Sequence, residues 1–148
     1  MDTSYFCHKS SGIVHYDPGK GERHFKPWWA ILRCDKGVVD FYSWLLLKHG
    51  IPIHKGSWSG PHISFIKGIK PEFKHLWGKH EGRQVEFRYT NNIRWDNGKH
   101  AWLDVWCDEL HEVRMESGLP SSFKNTFHFT LGRLVHEREN QKVPELSL

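Results

Sequence analysis

The chain has few cysteines: Cys7, Cys34 and Cys107 among 148 residues form neither a paired framework nor a C-x-x-C. That excludes a disulfide scaffold and a structural zinc ribbon, and the thiols read as reduced and mostly buried. No apolar run approaches the ~18 residues of a membrane span; the run Trp44 to Leu47 reads as core. No block of five like charges offers an arm for long duplex DNA. Glycine supplies no phosphate-cradling motif, and Gly60, Gly68 and Gly132 fit turns or close strand approach. His75 with His80, and His111 with Glu112, match no recognised zinc spacing, so no metal and no cofactor are expected and these side chains read as solvated. Met1-Asp2-Thr3-Ser4 carries no basic region followed by an apolar stretch, so the expectation is a cytoplasmic protein without a secretory signal.

Against those absences stand 12 histidines, 8 tryptophans and a net charge of +4 with histidine neutral. The basic residues are dispersed among acidic ones, which suits a compact anionic ligand better than a nucleic-acid surface. With 38% hydrophobic and 26% charged residues, 1–148 is expected to fold as one domain.

The segment up to about Lys26 is polar and carries a turn at Asp17-Pro18-Gly19-Lys20-Gly21. Pro27 to Cys34 reads as a strand, Asp35 as the N-cap of a helix with Val38, Val39, Tyr42, Leu45 and Leu46 on one face, and Gly50 with Pro52 as its stop. A loop from Lys55 to Gly60 leads into a strand over Pro61 to Ile66, and Pro71 opens a short helical turn reaching Trp77. Arg83 to Thr90 alternates as a strand. Asn97-Gly98 signals a hairpin between a strand ending near Trp95 and one over His100 to Cys107. A helix over Asp108 to Ser117 with Leu110, Val113 and Met115 apolar, a stop at Gly118, and a strand over Phe127 to Leu134 complete the order; the tail from His136 reads as polar and frayed.

The two halves share words in the same order. Cys34-Asp35, Gly50-Ile51-Pro52 and His62-Ile63-Ser64 recur as Cys107-Asp108, Gly118-Leu119-Pro120 and His128-Phe129-Thr130. An internal duplication would make the two His-x-Ser/Thr strands counterparts across one cleft. Strand residues i and i+2 share a face, so His62 sits beside Ser64 and His128 beside Thr130, while Ile63 and Phe129 point into a core. About one His-x-Ser/Thr is expected by chance in such a chain, and His8-Lys9-Ser10 is one. Requiring apolar residues at the second and fourth positions lowers the expectation to about 0.2, yet His62 to Phe65 and His128 to Leu131 both qualify.

This doublet resembles the two-histidine (2H) phosphoesterase superfamily, whose motif is His, apolar, Ser or Thr, apolar, found twice. PWWAILRCD, GPHISFIKGIKP, the VEFRY strand and FHFTLGRL further resemble the phage-encoded branch that includes anti-CBASS cyclic-oligonucleotide phosphodiesterases. The resemblance covers most of Pro27 to Leu134. It implies an α+β fold, bilobal and pseudo-twofold, with two antiparallel sheets and flanking helices around a central cleft, the lobes falling at about 27–70 and 83–134. It also implies no metal requirement and cleavage of 3′-5′ bonds in small cyclic oligonucleotides in a host cytosol, a viral counter to an immune signal.

Metal-free phosphodiester cleavage needs a base for the nucleophile, an acid for the leaving 5′ oxygen and donors for the charged equatorial oxygens. An imidazole titrates near pH 6.5, so one ring can be neutral while the other is protonated. His62 and His128 are the expected acid/base pair, with the roles open between them. Ser64 and Thr130 are expected phosphate donors, and a ribose 2′-hydroxyl the nucleophile, passing through a 2′,3′-cyclic phosphate. Lys67 and Lys70, just past the first motif, could attract phosphates. Trp28 and Trp95 are the candidate base-stacking residues, most of the other tryptophans reading as core. Two other functions fit much of this sequence: RNA-end 2′,3′-cyclic phosphodiester chemistry, and a nucleotide-binding sponge that does not cut. A sponge has no need of two symmetric imidazoles.

Overall fold

The computed structural model describes residues 5–23, 25–55, 59–96, 100–121 and 126–135. Seven strands and two helices follow in the order β1 (His8–Tyr16), β2 (Trp29–Cys34), α1 (Gly37–Lys48), β3 (Ile53–Lys55), β4 (His62–Lys67), β5 (Gln84–Asp96), β6 (His100–Trp106), α2 (Asp108–Glu116) and β7 (Phe127–Leu134), with a 3-10 turn at Lys74–Leu76. The fold is mixed α+β. Neither helix is long and apolar enough to cross a membrane. The Asn97-Gly98 turn and the 136–148 tail lie outside the described residues.

All seven strands join one antiparallel sheet in the order β3-β7-β4-β2-β1-β5-β6, and β6 pairs back to β7 to close it as a barrel. This corrects the expectation of two separate sheets. The missing link in the sequence is β1, a largely polar strand with Ile13, Val14 and Tyr16 as its large hydrophobic residues, whose two edges pair with β2 and with β5 and so connect the halves. Gly12 makes that central position possible, since a Cβ there would meet the Arg33 carbonyl oxygen at 2.7 Å. β3 was also unforeseen. It adds to β7 beside Gly132, where a Cβ would run into the His54 carbonyl.

The shared words are only partly equivalent in space. Gly50 and Gly118 both take positive φ, 76° and 87°. The amides two residues past each helix C-cap then close the same motif, Ile51 N–H to Leu46 O and Leu119 N–H to Arg114 O, both 2.9 Å. Cys-Asp is different. Arg33 pairs with His62 and Asp104 with His128, so Cys34 corresponds to Val105 and not to Cys107, two residues further on. The register also reveals an equivalence that no word signals. A bulge falls between Ala30 and Ile31 opposite Phe65, and another between Ala101 and Trp102 opposite Leu131. Phe65 and Leu131 hold the same place in the two motifs, three residues after the histidine.

Apolar side chains on the inward faces of these strands, among them Leu32, Ile63, Phe65, Phe87, Leu103, Phe129 and Leu131, fill the barrel and continue under α1 and α2. α1 packs on β3 and β7, and α2 on β4, so each helix lies over the motif strand of the other half. Within the Trp44–Leu47 run only Leu45 and Leu46 are buried; Trp44 and Leu47 are 51% and 61% exposed, because four consecutive helical residues cannot all face one core. Met115 is exposed for the same reason, and Cys7 is exposed while Cys34 and Cys107 are buried. Asp35 does serve α1, accepting the Gly37 N–H at 2.7 Å, but from one residue before the N-cap, Lys36.

Candidate functional site

β4 and β7 are joined by a single ladder pairing, Ile63 opposite Phe129. In an antiparallel register this sets His62 across from Thr130 and Ser64 across from His128, all four on the face opposite the two core residues. The histidines are then diagonal neighbours, roughly 7–8 Å apart by ordinary sheet geometry. A phosphoryl group fits between two rings so spaced, each within hydrogen-bond reach of one of its oxygens. All four side chains line one cavity of about 530 Å³, with Lys67, Ile69, Arg114, Thr126 and Phe127 among its walls. A second cavity of about 380 Å³ shares His62, Lys67 and Thr130 and runs to Gly60, Pro61 and Arg133 on the other side. The four expected catalytic positions are thus brought together.

His62 is half-buried, and its Nδ1 lies 2.7 Å from the Gly60 carbonyl oxygen and 3.2 Å from Ser59 Oγ. A carbonyl only accepts, so Nδ1 carries the proton in that bond and Nε2 is left with its lone pair in the neutral ring. Burial pushes the His62 pKa below its ordinary value, the Gly60 carbonyl opposes this, and the Lys67 ammonium adds to the lowering. Trp29, buried at the start of β2, meets the His62 ring edge to face at 5.6 Å and donates its Nε1–H to Ser64 Oγ at 2.9 Å. Since Ser64 accepts there, its own O–H is directed elsewhere, as a phosphate donor requires.

His128 is more open, with its side chain 57% exposed. Its ring stacks on Trp102 at 4.7 Å, and Nε2 approaches Asp104 Oδ1 at 4.0 Å. Asp104 is itself buried and holds two donors, Trp102 Nε1 at 3.1 Å and an Arg94 guanidinium nitrogen at 2.9 Å. Partial burial lowers the His128 pKa; Asp104 opposes that, Arg94 adds to it, and Asp96 opposes it in turn.

The tryptophans expected to stack on bases sit elsewhere. Trp95 is 8% exposed within the core, its side chain facing into the barrel on β5. Trp28, at φ 57°, packs edge to face on Trp77 at 5.1 Å and does not line either cavity. The aromatic rings against the histidines are Trp29 and Trp102, one residue and seven residues away in sequence. Register was the missing signal: Trp102 is the cross-strand partner of Thr130, and the chain alone gives no pairing. Arg114 was also missed. It is buried at the end of α2 and donates to the carbonyls of Phe65 and Pro120 at 2.6 and 2.8 Å. Phe65 is the bulged residue of β4, so the guanidinium engages its carbonyl where the ladder is interrupted. Lys67 lines the cavities and Lys70 does not. The buried His111 packs against Phe127 at 4.6 Å, not in solvent, and His80 pairs with Glu116 at 3.2 Å.

The fold and site define a closed antiparallel barrel carrying a paired imidazole and hydroxyl quartet on one seam. Compared with protein-family models, curated proteins and solved structures, the chain matches none.

Proposed function

We propose that this protein is a metal-independent phosphodiesterase that opens 3′-5′ bonds of small cyclic oligonucleotides by two-histidine acid/base catalysis, and that it acts against a host immune signal of that kind. The observation that carries the reading is the Ile63–Phe129 bridge, which sets His62 across from Thr130 and Ser64 across from His128 on one cavity wall. The bilobal two-histidine fold, with the β4–β7 bridge as the seam of its cleft, belongs to the same proposal.

In this mechanism the neutral partner of the pair takes the proton of a ribose 2′-hydroxyl as its oxygen attacks the adjacent phosphorus. The phosphorus to 5′-oxygen bond breaks, and the protonated partner gives its proton to that leaving oxygen. The product is a 2′,3′-cyclic phosphate, which water opens with the two roles exchanged. Ser64 and Thr130 donate to the equatorial oxygens, and each histidine contributes about 10²–10⁴-fold as acid or base. A ligand carrying two or three phosphates and no long backbone suits a +4 chain whose cations are dispersed.

The test is a substrate panel of cyclic dinucleotides, cyclic trinucleotides, 2′,3′-cyclic mononucleotides and short RNA, incubated with EDTA. Linear products from the cyclic oligonucleotides support the proposal. Activity confined to 2′,3′-cyclic ends or RNA would transfer the site to RNA-end chemistry, and binding without turnover would make the protein a sponge. A 2′-deoxy analogue cut as fast as the ribo form would remove the 2′-hydroxyl from the mechanism.

A further inference from the structure

The two halves match in backbone and differ in charge. The cross-strand partner of His62 is Arg33, while the equivalent partner of His128 is Asp104. Arg33 is exposed, but Asp104 is buried and its position is fixed from two sides. The Trp102 indole N–H holds one carboxylate oxygen, Arg94 holds the other, and the Trp102 ring meets both the Arg94 guanidinium, 5.8 Å from its centroid, and the stacked His128 ring. His128 thus has one face on an indole and an edge toward a carboxylate, two contacts that favour the imidazolium against the opposing effect of burial. His62 is held through Nδ1 by a backbone carbonyl and faces the Lys67 ammonium, a setting that favours a neutral ring with Nε2 free to accept.

We propose that Asp104 is a positioning residue that makes His128 the proton donor of the pair and leaves His62 as the proton acceptor. This rests on the two-histidine reading above and assigns the roles that the motif leaves open. In the cleavage step His62 Nε2 takes the 2′-hydroxyl proton and the His128 imidazolium protonates the departing 5′ oxygen, so one proton enters the pair as one leaves. The groups facing His128 are Asp104 from β6, Arg94 and Asp96 from β5, Ser64 from β4 across the bridge, and, around the shared cavity, His62, Lys67 and Arg114. Asp104 is the nearest carboxylate among those named, and Arg94 moderates it.

Two variants should move the His128 titration in opposite directions. Asp104→Asn removes the carboxylate charge and lowers the midpoint; Arg94→Gln removes the opposing cation from an exposed position and raises it. The His62 midpoint should stay in place in both. NMR titration of the histidine rings reads this without any turnover, so it stands even if no cyclic oligonucleotide proves to be a substrate, a result that would count against the functional reading alone. An unmoved His128 midpoint in Asp104→Asn, with the protein folded by its amide spectrum, overturns the positioning role.

Turnover tests the assignment of roles. With a substrate whose scissile 5′ oxygen is replaced by sulfur, the thiolate leaves without a proton. His128→Ala should then recover most of its loss, Asp104→Asn its smaller loss of about tenfold above neutral pH, and His62→Ala nothing. Recovery by His62→Ala in place of His128→Ala reverses the roles and overturns the proposal.

Discussion

Replacing Trp29 by Phe tests whether the indole organises Ser64. The ring that meets His62 edge to face at 5.6 Å is largely retained, and the one polar group lost is the Nε1–H that donates to Ser64 Oγ at 2.9 Å. A hydrogen bond of this kind contributes about 0.5–1.5 kcal/mol net. In the free protein that predicts a fall in Tm of roughly 2–4 °C for a domain of this size. In catalysis the hydroxyl can rotate away from the phosphate, and about 1 kcal/mol of lost transition-state stabilisation is a drop in kcat/KM of about fivefold. The discriminating measurement is the double-mutant cycle with Ser64→Ala. If Trp29 acts through Ser64, the double variant loses no more than Ser64→Ala alone, and the coupling equals the single Trp29→Phe effect. Additive losses would rule out action through Ser64 and make the indole a direct ligand contact, as would a loss beyond about a hundredfold from Trp29→Phe.

Trp95→Ala should lower stability by about 3–5 kcal/mol, as for other buried aromatics, and leave KM at permissive temperature unchanged, which denaturant melts and kinetics would show. Gly132→Ala should cost more than about 1 kcal/mol, because its Cβ meets the His54 carbonyl and β3 must part from β7; loss of amide protection confined first to Ile53–Lys55 would locate the damage. A thiol reagent on the native protein should label Cys7 and spare Cys34 and Cys107, whose burial pushes their pKa values up to about 12 and about 11. Both motif histidines have folded-state pKa values below the ordinary 6.5, so the unfolded chain binds more protons in that range. Their contribution to stability is present above pH 6.5 and lost as pH falls through the folded values. Urea melts across that window should show a shallower pH slope in His62→Ala than in the wild type.

Much of the local structure was legible because it is periodic. β4 and β7 alternate through their motifs up to the bulged Phe65 and Leu131, both helices carry an apolar stripe and a Gly-Ile/Leu-Pro stop, and the structure places these elements within a few residues of expectation. The expected site residues His62, Ser64, His128 and Thr130 were legible because one motif fixes side-chain direction within each strand. What was hidden depends on pairing between strands. β1 has too few large apolar residues to announce itself, yet it joins the halves, and without it the sheet reads as two. Asp104, Trp102 and Trp29 are set beside the histidines by cross-strand register, which the chain does not encode as a word. Trp28 and Trp95 stand out only by position along the sequence, and position does not distinguish a cleft face from a core face when a bulge or a positive φ intervenes. The bulges opposite Phe65 and Leu131 are the deepest sign of two matching halves, and they are visible only as a register shift.

The central claim is that His62 and His128 together cut a phosphodiester bond without a metal. The most direct measurement is single-turnover cleavage of a cyclic dinucleotide, chosen from the panel as the best substrate, in excess EDTA by the wild type, His62→Ala and His128→Ala, with binding of the same ligand followed in parallel. Full wild-type activity, losses of at least about 10²-fold in each variant, and binding largely retained in both are expected. Near wild-type cleavage by either variant, or wild-type activity abolished by EDTA, would contradict it.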